Sequence, residues 1–129
     1  MSEAVVHVRY IVDDVAAAVA WYTRHLGFRV QMDMGPVIAA VERGPLRLLL
    51  SGPKSSAARP MPDGETPAPG GWNRIHLIVE DLAAEVARLK AEGVEFRNEI
   101  LKGPGGSQIL LLDPSGNVVE LFQPASRAS

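Results

Sequence analysis

Two β-rich runs joined by a turn make up the stretch Ser107-Gln-Ile-Leu-Leu-Leu-Asp-Pro-Ser-Gly-Asn-Val-Val-Glu-Leu-Phe-Gln-Pro124. Pro114 presets φ at one corner of the turn and Gly116 can adopt positive φ, so the stretch is predicted to be a β-hairpin. In the second run Glu120 stands among four apolar residues. An ionised carboxylate in such surroundings needs a cation, a metal ion or a polar cavity. Glu120 is therefore the first candidate functional residue.

The composition limits the function classes. The chain has 129 residues, of which 47% are hydrophobic, and this is enough for one domain with its own core. A net charge of −2 without a basic cluster argues against nucleic acid or an anionic membrane surface as a partner, so small molecules and protein surfaces remain as candidate partners. There are no cysteines, which excludes disulfides, thiolate metal sites and a cysteine nucleophile.

The beginning of the sequence lacks the pattern of a secretion signal. No apolar run approaches the roughly 20 residues that span a bilayer. We therefore expect a cytoplasmic protein.

A strand followed by a helix begins the first half of the chain. His7-Val-Arg-Tyr-Ile-Val12 alternates between two faces, with His7, Arg9 and Ile11 on one of them. Asp14 is suited to cap a helix whose apolar spacing ends at Gly27. Three strands near 28–33, 37–42 and 46–51 are predicted to follow.

The same pattern recurs after a segment rich in proline and glycine, 52–72. A shift of 67 residues superimposes Asp14 on Asp81, a second helix cap, and also places His7 on Arg74. In the last strands a shift of 72 places Gly44 on Gly116 and Leu48 on Glu120.

These matches predict a single domain of two βαβββ modules. Module one covers 5–51, module two covers 73–124, and 52–72 is a linker or a mobile loop. Because one helix covers one face of each module, the opposite faces are predicted to meet across a cleft. The side chains predicted to line that cleft are His7, Arg9, Ile11, Leu48, Leu50, Arg74, His76, Ile78, Glu120 and Phe122.

Four motifs together carry a resemblance to a known family. They are His7-Val-x-Tyr-x-Val-x-Asp14, Trp21-Tyr22 followed by Leu26-Gly27-Phe28, Asp81-Leu-x-x-x-Val-x-x-Leu89, and Asp113-Pro-Ser-Gly-Asn-x-x-Glu-Leu121. On these residues the chain resembles the vicinal oxygen chelate superfamily, which includes glyoxalase I, bleomycin-resistance proteins, fosfomycin-resistance enzymes and extradiol dioxygenases. The resemblance implies an α+β fold in which paired βαβββ modules curl around a cavity. It also implies a homodimer.

The resemblance places metal ligands at four positions, on the first and last strands of the modules. Two of these positions carry His7 and Glu120, while the other two carry Arg74 and Leu48. Arginine stays protonated and has no lone pair to donate, so Arg74 opposes a divalent ion. We therefore predict an ion pair between Arg74 and Glu120 in place of the metal.

The sequence thus favours a metal-free, small-molecule-binding protein similar to the bleomycin-resistance branch, which binds or sequesters a metabolite or an antibiotic. Arg74 would anchor an anionic or carbonyl oxygen, with Glu120 as its counter-ion. In a metal-free enzyme the same pair would act catalytically, Glu120 as a general base and Arg74 as the oxyanion partner. The predicted ligand-binding residues are His7, Arg9, Leu48, Leu50, Trp72, Arg74, His76 and Phe122.

The alternatives remain open at this stage. In a metal-dependent enzyme, a glyoxalase-type lyase or isomerase or an extradiol-type dioxygenase, His7, His76 and Glu120 would hold zinc, nickel or iron. A third possibility is a structural or regulatory dimer module. Trp72 ends the glycine-rich segment and either stacks on a flat ligand or packs against the protein.

Overall fold

Two compact units make up the computed structural model, which describes residues 5–126. The first unit runs as far as Gly70 and includes the turn Pro114–Asn117. The second unit comprises Gly71–Asp113 and the chain from Val118 onward. The segment predicted as a linker therefore lies almost wholly within the first unit.

The first unit contains a four-stranded sheet and one α-helix. Its elements are β1 (Val6–Ile11), α1 (Val15–His25), β2 (Arg29–Asp33), β3 (Ile38–Arg43) and β4 (Leu46–Ser51), followed by a short 3₁₀ helix (Ser56–Ala58). The strand order is β1-β4-β3-β2, with β1 parallel to β4 and the other pairs antiparallel. The ends of α1 follow from local chemistry, because Asp14 accepts a hydrogen bond from the Ala17 amide at 3.0 Å and Gly27 adopts a φ of 71°.

The core of the first unit lies between α1 and one face of the sheet. Helix α1 contacts β3 and β4 through its buried stripe, in which Tyr22 is fully buried. The sheet residues on this side include Val41, Leu48 and Leu50, all fully buried. The opposite face of this sheet, which α1 leaves uncovered, is called here the first open face.

The turn Pro114–Asn117 is held against the end of β1. The Asn117 amide group donates to the Ile11 carbonyl at 2.8 Å and accepts from the Gly70 amide at 2.8 Å. The Asp13 amide donates to the Ser115 hydroxyl, also at 2.8 Å. The side chains of Ser115 and Asn117 thus form hydrogen bonds with backbone groups that, within the described part of the chain, have no partner in a neighbouring strand.

The second unit repeats the arrangement, except that the counterpart of β2, its second strand, is divided into two short strands. Its elements are β5 (Ile75–Ile78), α2 (Leu82–Ala91), β6 (Glu95–Phe96), β7 (Leu101–Gly103), β8 (Gly106–Leu112) and β9 (Val118–Pro124). The strand order is β5-β9-β8-β6, and β7 also pairs with β8. Asp81 caps α2 by accepting from the Ala84 amide at 3.0 Å.

The predicted α+β fold of two βαβββ modules is confirmed, as are the hairpin and both helix caps. The second module differs in one respect, because two short strands, β6 and β7, take the place of one strand along β8. Within the described residues, neither helix is long and apolar enough to cross a membrane.

Candidate functional site

The alternation of β5 and β9 places two polar side chains on the uncovered face of the second sheet. Helix α2 contacts β9, and Ile75, Leu77 and Leu121 are buried on the side of that helix. His76 and Glu120 are direct partners in the parallel register of β5 and β9, so both side chains project from the other side. This side is called here the second open face.

Arg74 and Glu120 form an ion pair on the second open face. Nε and Nη2 of Arg74 each lie 3.0 Å from Oε1 of Glu120, and Nη1 donates to the Trp72 carbonyl at 3.2 Å. The Glu120 side chain is only 8% exposed, whereas that of Arg74 is 29% exposed. The predicted ion pair is therefore confirmed, and it supplies the cation that a nearly buried carboxylate requires.

His76 extends the polar cluster. Its Nε2 lies 3.8 Å from Oε2 of Glu120, which is too long for a hydrogen bond but close enough for electrostatic attraction when the imidazole is protonated. The imidazole ring meets the Phe122 ring edge to face, with 4.8 Å between the ring centroids. Oε2 of Glu120 is thus the carboxylate oxygen that Arg74 leaves for another partner.

Phe122 separates this polar cluster from a small cavity of about 200 Å³. The cavity is lined by Gln108, by Phe122 and by residues of the β7–β8 hairpin. Gly106 allows Phe122 to lie here, because a Cβ atom at Gly106 would come within 2.8 Å of Phe122 Cζ. The second open face therefore offers a charged cluster and, next to it, a small cavity with both polar and apolar residues in its lining.

Trp72 lies beside the ion pair and is 62% exposed. The guanidinium carbon of Arg97 lies 4.0 Å from the centroid of its ring, a cation–π contact. Trp72 is therefore not packed into the core, and its stacking on a ligand remains a prediction. Arg97 was missed by the sequence analysis because it belongs to no motif and reaches Trp72 only through the folded sheet.

Two predicted site residues, His7 and Arg9, lie on the first open face. Both are exposed on β1, and Nη1 of Arg9 donates to the hydroxyl of the fully buried Ser51 at 2.9 Å. His7 is the register partner of Arg47 on β4. Their predicted role in ligand binding stays a prediction.

The prediction that Leu48 and Leu50 line a cleft is wrong. In the parallel register of β1 and β4 they pair with Val8 and Tyr10, so they lie on the α1 side of the sheet and are fully buried. The first open face instead carries Arg47, Leu49 and Ser51. The residue of module one that matches Glu120 is therefore Leu49, not Leu48.

Alignment of the two turns by their glycines explains this one-residue error. Strands β3 and β4 are joined by two residues, whereas β8 and β9 are joined by five. The two turns are not equivalent, so a glycine does not mark the same position in both. Superimposing Gly44 on Gly116 matches Leu48 with Glu120, whereas the parallel registers of β4 with β1 and of β9 with β5 match Leu49 with Glu120. A shift by one residue moves every side chain to the opposite face. The alternation of side chains along β1, transferred to β4 through their parallel pairing, would have predicted the correct face for the β4 leucines.

Arg47, a residue that the sequence analysis missed, joins an ionic network on the first open face. Its Nη2 lies 3.2 Å from Oε2 of Glu42, and Oε1 of the same carboxylate accepts from Arg29 at 3.1 Å. The Glu42 carboxylate thus forms ion pairs with the guanidinium groups of both Arg29 and Arg47.

The residues of the second open face do not fit a divalent metal ion. Arg74 directs two donors at Oε1 of Glu120, and a metal on this carboxylate would lie next to a fixed positive charge. His76 is the one neighbouring imidazole in the second unit, whereas His7 belongs to β1 of the first unit. Across residues 5–126, no three His, Asp or Glu side chains are grouped closely enough to hold an ion.

Comparison with known proteins identifies the family. The model of the Glyoxalase/Bleomycin resistance protein/Dioxygenase superfamily matches residues 4–121. The chain belongs to this superfamily. No curated protein sequence matches the chain.

Solved structures of the superfamily share the fold over nearly the whole chain. A superfamily member from Sphaerobacter thermophilus is 27% identical, with a TM-score of 0.75 and coverage of 95% of this chain and 98% of that one. TnmS3, an antibiotic binding protein from a Streptomyces species, is 27% identical, with a TM-score of 0.73 and coverage of 96% and 98%. A lactoylglutathione lyase from Agrobacterium tumefaciens is 23% identical, with a TM-score of 0.71 and coverage of 95% and 94%, and this likeness concerns the fold alone.

Proposed function

We propose that this superfamily member is a metal-independent small-molecule-binding protein whose ligand contacts the second open face. The observation that carries the proposal is the Arg74–Glu120 ion pair, because a guanidinium lies where the family resemblance implies a metal ligand. TnmS3 is an antibiotic binding protein, and this supports a binding role for a protein of the same fold.

The chemistry of the ligand follows from the side chains that remain available. Arg74 is partly exposed, so its guanidinium can donate to a carboxylate or carbonyl oxygen of the ligand while it stays paired with Glu120. Trp72 offers an exposed indole ring, and Phe122 lines the small cavity. A flat ligand with an oxygen acceptor at one edge meets these features best.

The experiment that tests this proposal is ligand-observed NMR with a panel of flat aromatic acids and amides. Arg74→Gln should weaken binding of the best ligand by about tenfold, since one charge-assisted hydrogen bond is lost. Arg29→Gln is the matched control, because it removes the same charge from an ion pair whose arginine is 81% exposed. Arg74→Lys keeps the positive charge beside Glu120 and therefore controls for a folding defect caused by Arg74→Gln. Equal affinities of the wild type, Arg74→Gln and Arg74→Lys for every ligand would overturn the proposal.

The rival function is a metal-dependent enzyme of the glyoxalase or dioxygenase type. One observation favours it, namely that the His76 imidazole and Oε2 of Glu120 lie 3.8 Å apart on one face. Histidine and carboxylate together suit zinc, nickel or iron. Binding of one such ion per chain, with an activity that depends on it, would replace the proposed function by this one.

A further inference from the structure

The strand register arranges the second open face in two rows of side chains. The row that contains the polar cluster consists of three register partners on β5, β9 and β8, namely His76, Glu120 and Leu110. The next row consists of register partners on β5, β9, β8 and β7, namely Ile78, Phe122, Gln108 and Leu101. The two rows are two residues, or about 7 Å, apart along the strands. Phe122, Gln108 and Leu101 line the cavity of about 200 Å³, so this cavity lies in the second row, beside the polar cluster.

Two glycines explain why this part of the second open face is hollow. Gly103 and Gly106 are register partners at the end of the β7–β8 hairpin, and both line the cavity. Each is two residues from a side chain of the second row, so a side chain at either position would project from the same face. At Gly106 the Phe122 ring occupies that space, since a Cβ atom would come within 2.8 Å of Phe122 Cζ. At Gly103 the nearest atom to a Cβ would be 3.9 Å away, so the space in front of Gly103 is open.

Gln108 gives the cavity a group that is both a donor and an acceptor. The residue is half-buried, and among residues 5–126 its side-chain carboxamide has no hydrogen-bonding partner. A carboxamide presents an N–H₂ donor beside a carbonyl acceptor. Its best partner presents the same two functions in the opposite order, as a primary amide or a lactam does. The Phe122 ring and Leu101 supply apolar contact for the remainder of such a group.

We propose that the cavity is a binding subsite for an aromatic primary amide or a lactam, which pairs with the Gln108 carboxamide and lies against Phe122. The volume is sufficient, because a cavity of about 150 Å³ holds a benzene molecule. Phe122 also contacts His76, so the subsite adjoins the polar cluster. The inference deepens the proposed function and rests on it in one respect, namely that the ligand of the second open face has this amide-bearing ring at one end. Its other end carries the oxygen that accepts from Arg74.

Heteronuclear NMR of the ¹⁵N-labelled full chain tests the subsite with benzamide as the probe. Benzamide should shift the side-chain N–H₂ signals of Gln108 and the amide signals of Gly103 and Gly106 in a saturable manner. Acetophenone has a methyl group in place of the amide nitrogen, so it should bind about fivefold more weakly, the effect of one hydrogen bond. Gln108→Leu should abolish this difference, because neither compound then has a carboxamide partner. The glycine amide signals report the affinities of that variant.

Filling the cavity tests the subsite without removal of a polar group. The Gly103→Leu side chain should enter the cavity and weaken benzamide binding at least tenfold. Gly103→Ala is the matched control and should weaken binding by less than about threefold. Because a Cβ atom at Gly103 comes no closer than 3.9 Å to another atom, both variants should retain the urea midpoint of the wild type.

Arg74→Gln separates this inference from the proposed function, because it changes the polar cluster and should leave benzamide binding at Gln108 intact. Benzamide binding that is unchanged in both Gln108→Leu and Gly103→Leu would overturn the subsite, even if aromatic acids still depend on Arg74. Shifts that never saturate would also overturn it. Since Lys102 lines the cavity as well, sodium benzoate is titrated in parallel, and tighter binding of benzoate than of benzamide would overturn the assignment of an amide ligand.

Discussion

Arg74 directs both Nε and Nη2 at the same oxygen of Glu120, each at 3.0 Å, and leaves Oε2 facing His76 at 3.8 Å. The Glu120 carboxylate, which belongs to the last of the four superfamily motifs, is thus already paired with the Arg74 guanidinium. Because the Glu120 side chain is nearly buried, the pair is a structural necessity as well as a candidate binding element.

Removal of Arg74 should therefore destabilise the protein. Arg74→Gln leaves a nearly buried carboxylate whose remaining ionisable neighbour within residues 5–126 is His76. We expect a loss of about 2–3 kcal/mol in the free energy of unfolding. The double variant Arg74→Gln/Glu120→Gln should recover part of that loss, because no buried charge remains. Urea denaturation measures both effects. A double variant less stable than Arg74→Gln would contradict the assignment of the loss to the unpaired charge.

The register of β4 predicts that replacing two adjacent leucines by alanine will lower the stability by very different amounts. Leu48→Ala should cost about 3 kcal/mol because Leu48 is fully buried beneath α1. Leu49→Ala, on the first open face, should cost less than about 1 kcal/mol. Thermal or urea unfolding of the two variants provides the comparison. If Leu49→Ala proved the more damaging, the strand would have to be shifted by one residue.

Gly106 should tolerate no side chain. Its φ is 147°, and a Cβ atom there would overlap the Gln123 carbonyl and approach Phe122 Cζ to 2.8 Å. We expect Gly106→Ala to cost about 2–4 kcal/mol and to displace the Phe122 ring. Gly105→Ala is the matched control, since a Cβ at Gly105 meets no atom within 4 Å and should change stability by less than about 0.5 kcal/mol. Similar stabilities of the two variants would show that β8 and β9 are not packed as described.

The contact of Arg97 with Trp72 is expected to be visible by fluorescence. In a Trp21→Phe background, which leaves Trp72 as the single indole, Arg97→Ala should increase acrylamide quenching because one face of the ring loses its cover. The accompanying loss of stability should be about 0.5–1 kcal/mol, the size of an exposed cation–π contact. Unchanged quenching would mean that the guanidinium does not stack on the ring in solution.

Local chemistry determined which parts of the fold were predictable. Asp14 and Gly27 fixed the ends of α1 because a helix needs a cap acceptor at one end and favours a positive-φ residue at the other. The Arg74–Glu120 pair was predictable for a different reason. A buried charge needs a partner, and the family pattern suggested which strands meet.

The rest required the folded chain. The faces of Leu48 and Leu50 depend on the register of β4 with β1, and the position of a turn glycine does not fix that register. The contact between Arg97 and Trp72 joins residues far apart in sequence and without a motif. The shared use of Glu42 by two arginines likewise follows from strand register and not from local sequence.

The metal content of the natively purified protein decides whether the Arg74–Glu120 ion pair stands in place of a metal ion. Elemental analysis without chelators, followed by calorimetric titration with zinc, nickel and ferrous iron, is the measurement. We predict metal far below one ion per chain and no stoichiometric binding on titration, because the Arg74 guanidinium already holds Glu120. One ion per chain that survives dialysis, disappears in Glu120→Ala and persists in the control Glu42→Ala would show that Glu120 is a metal ligand and that the protein is not metal-independent.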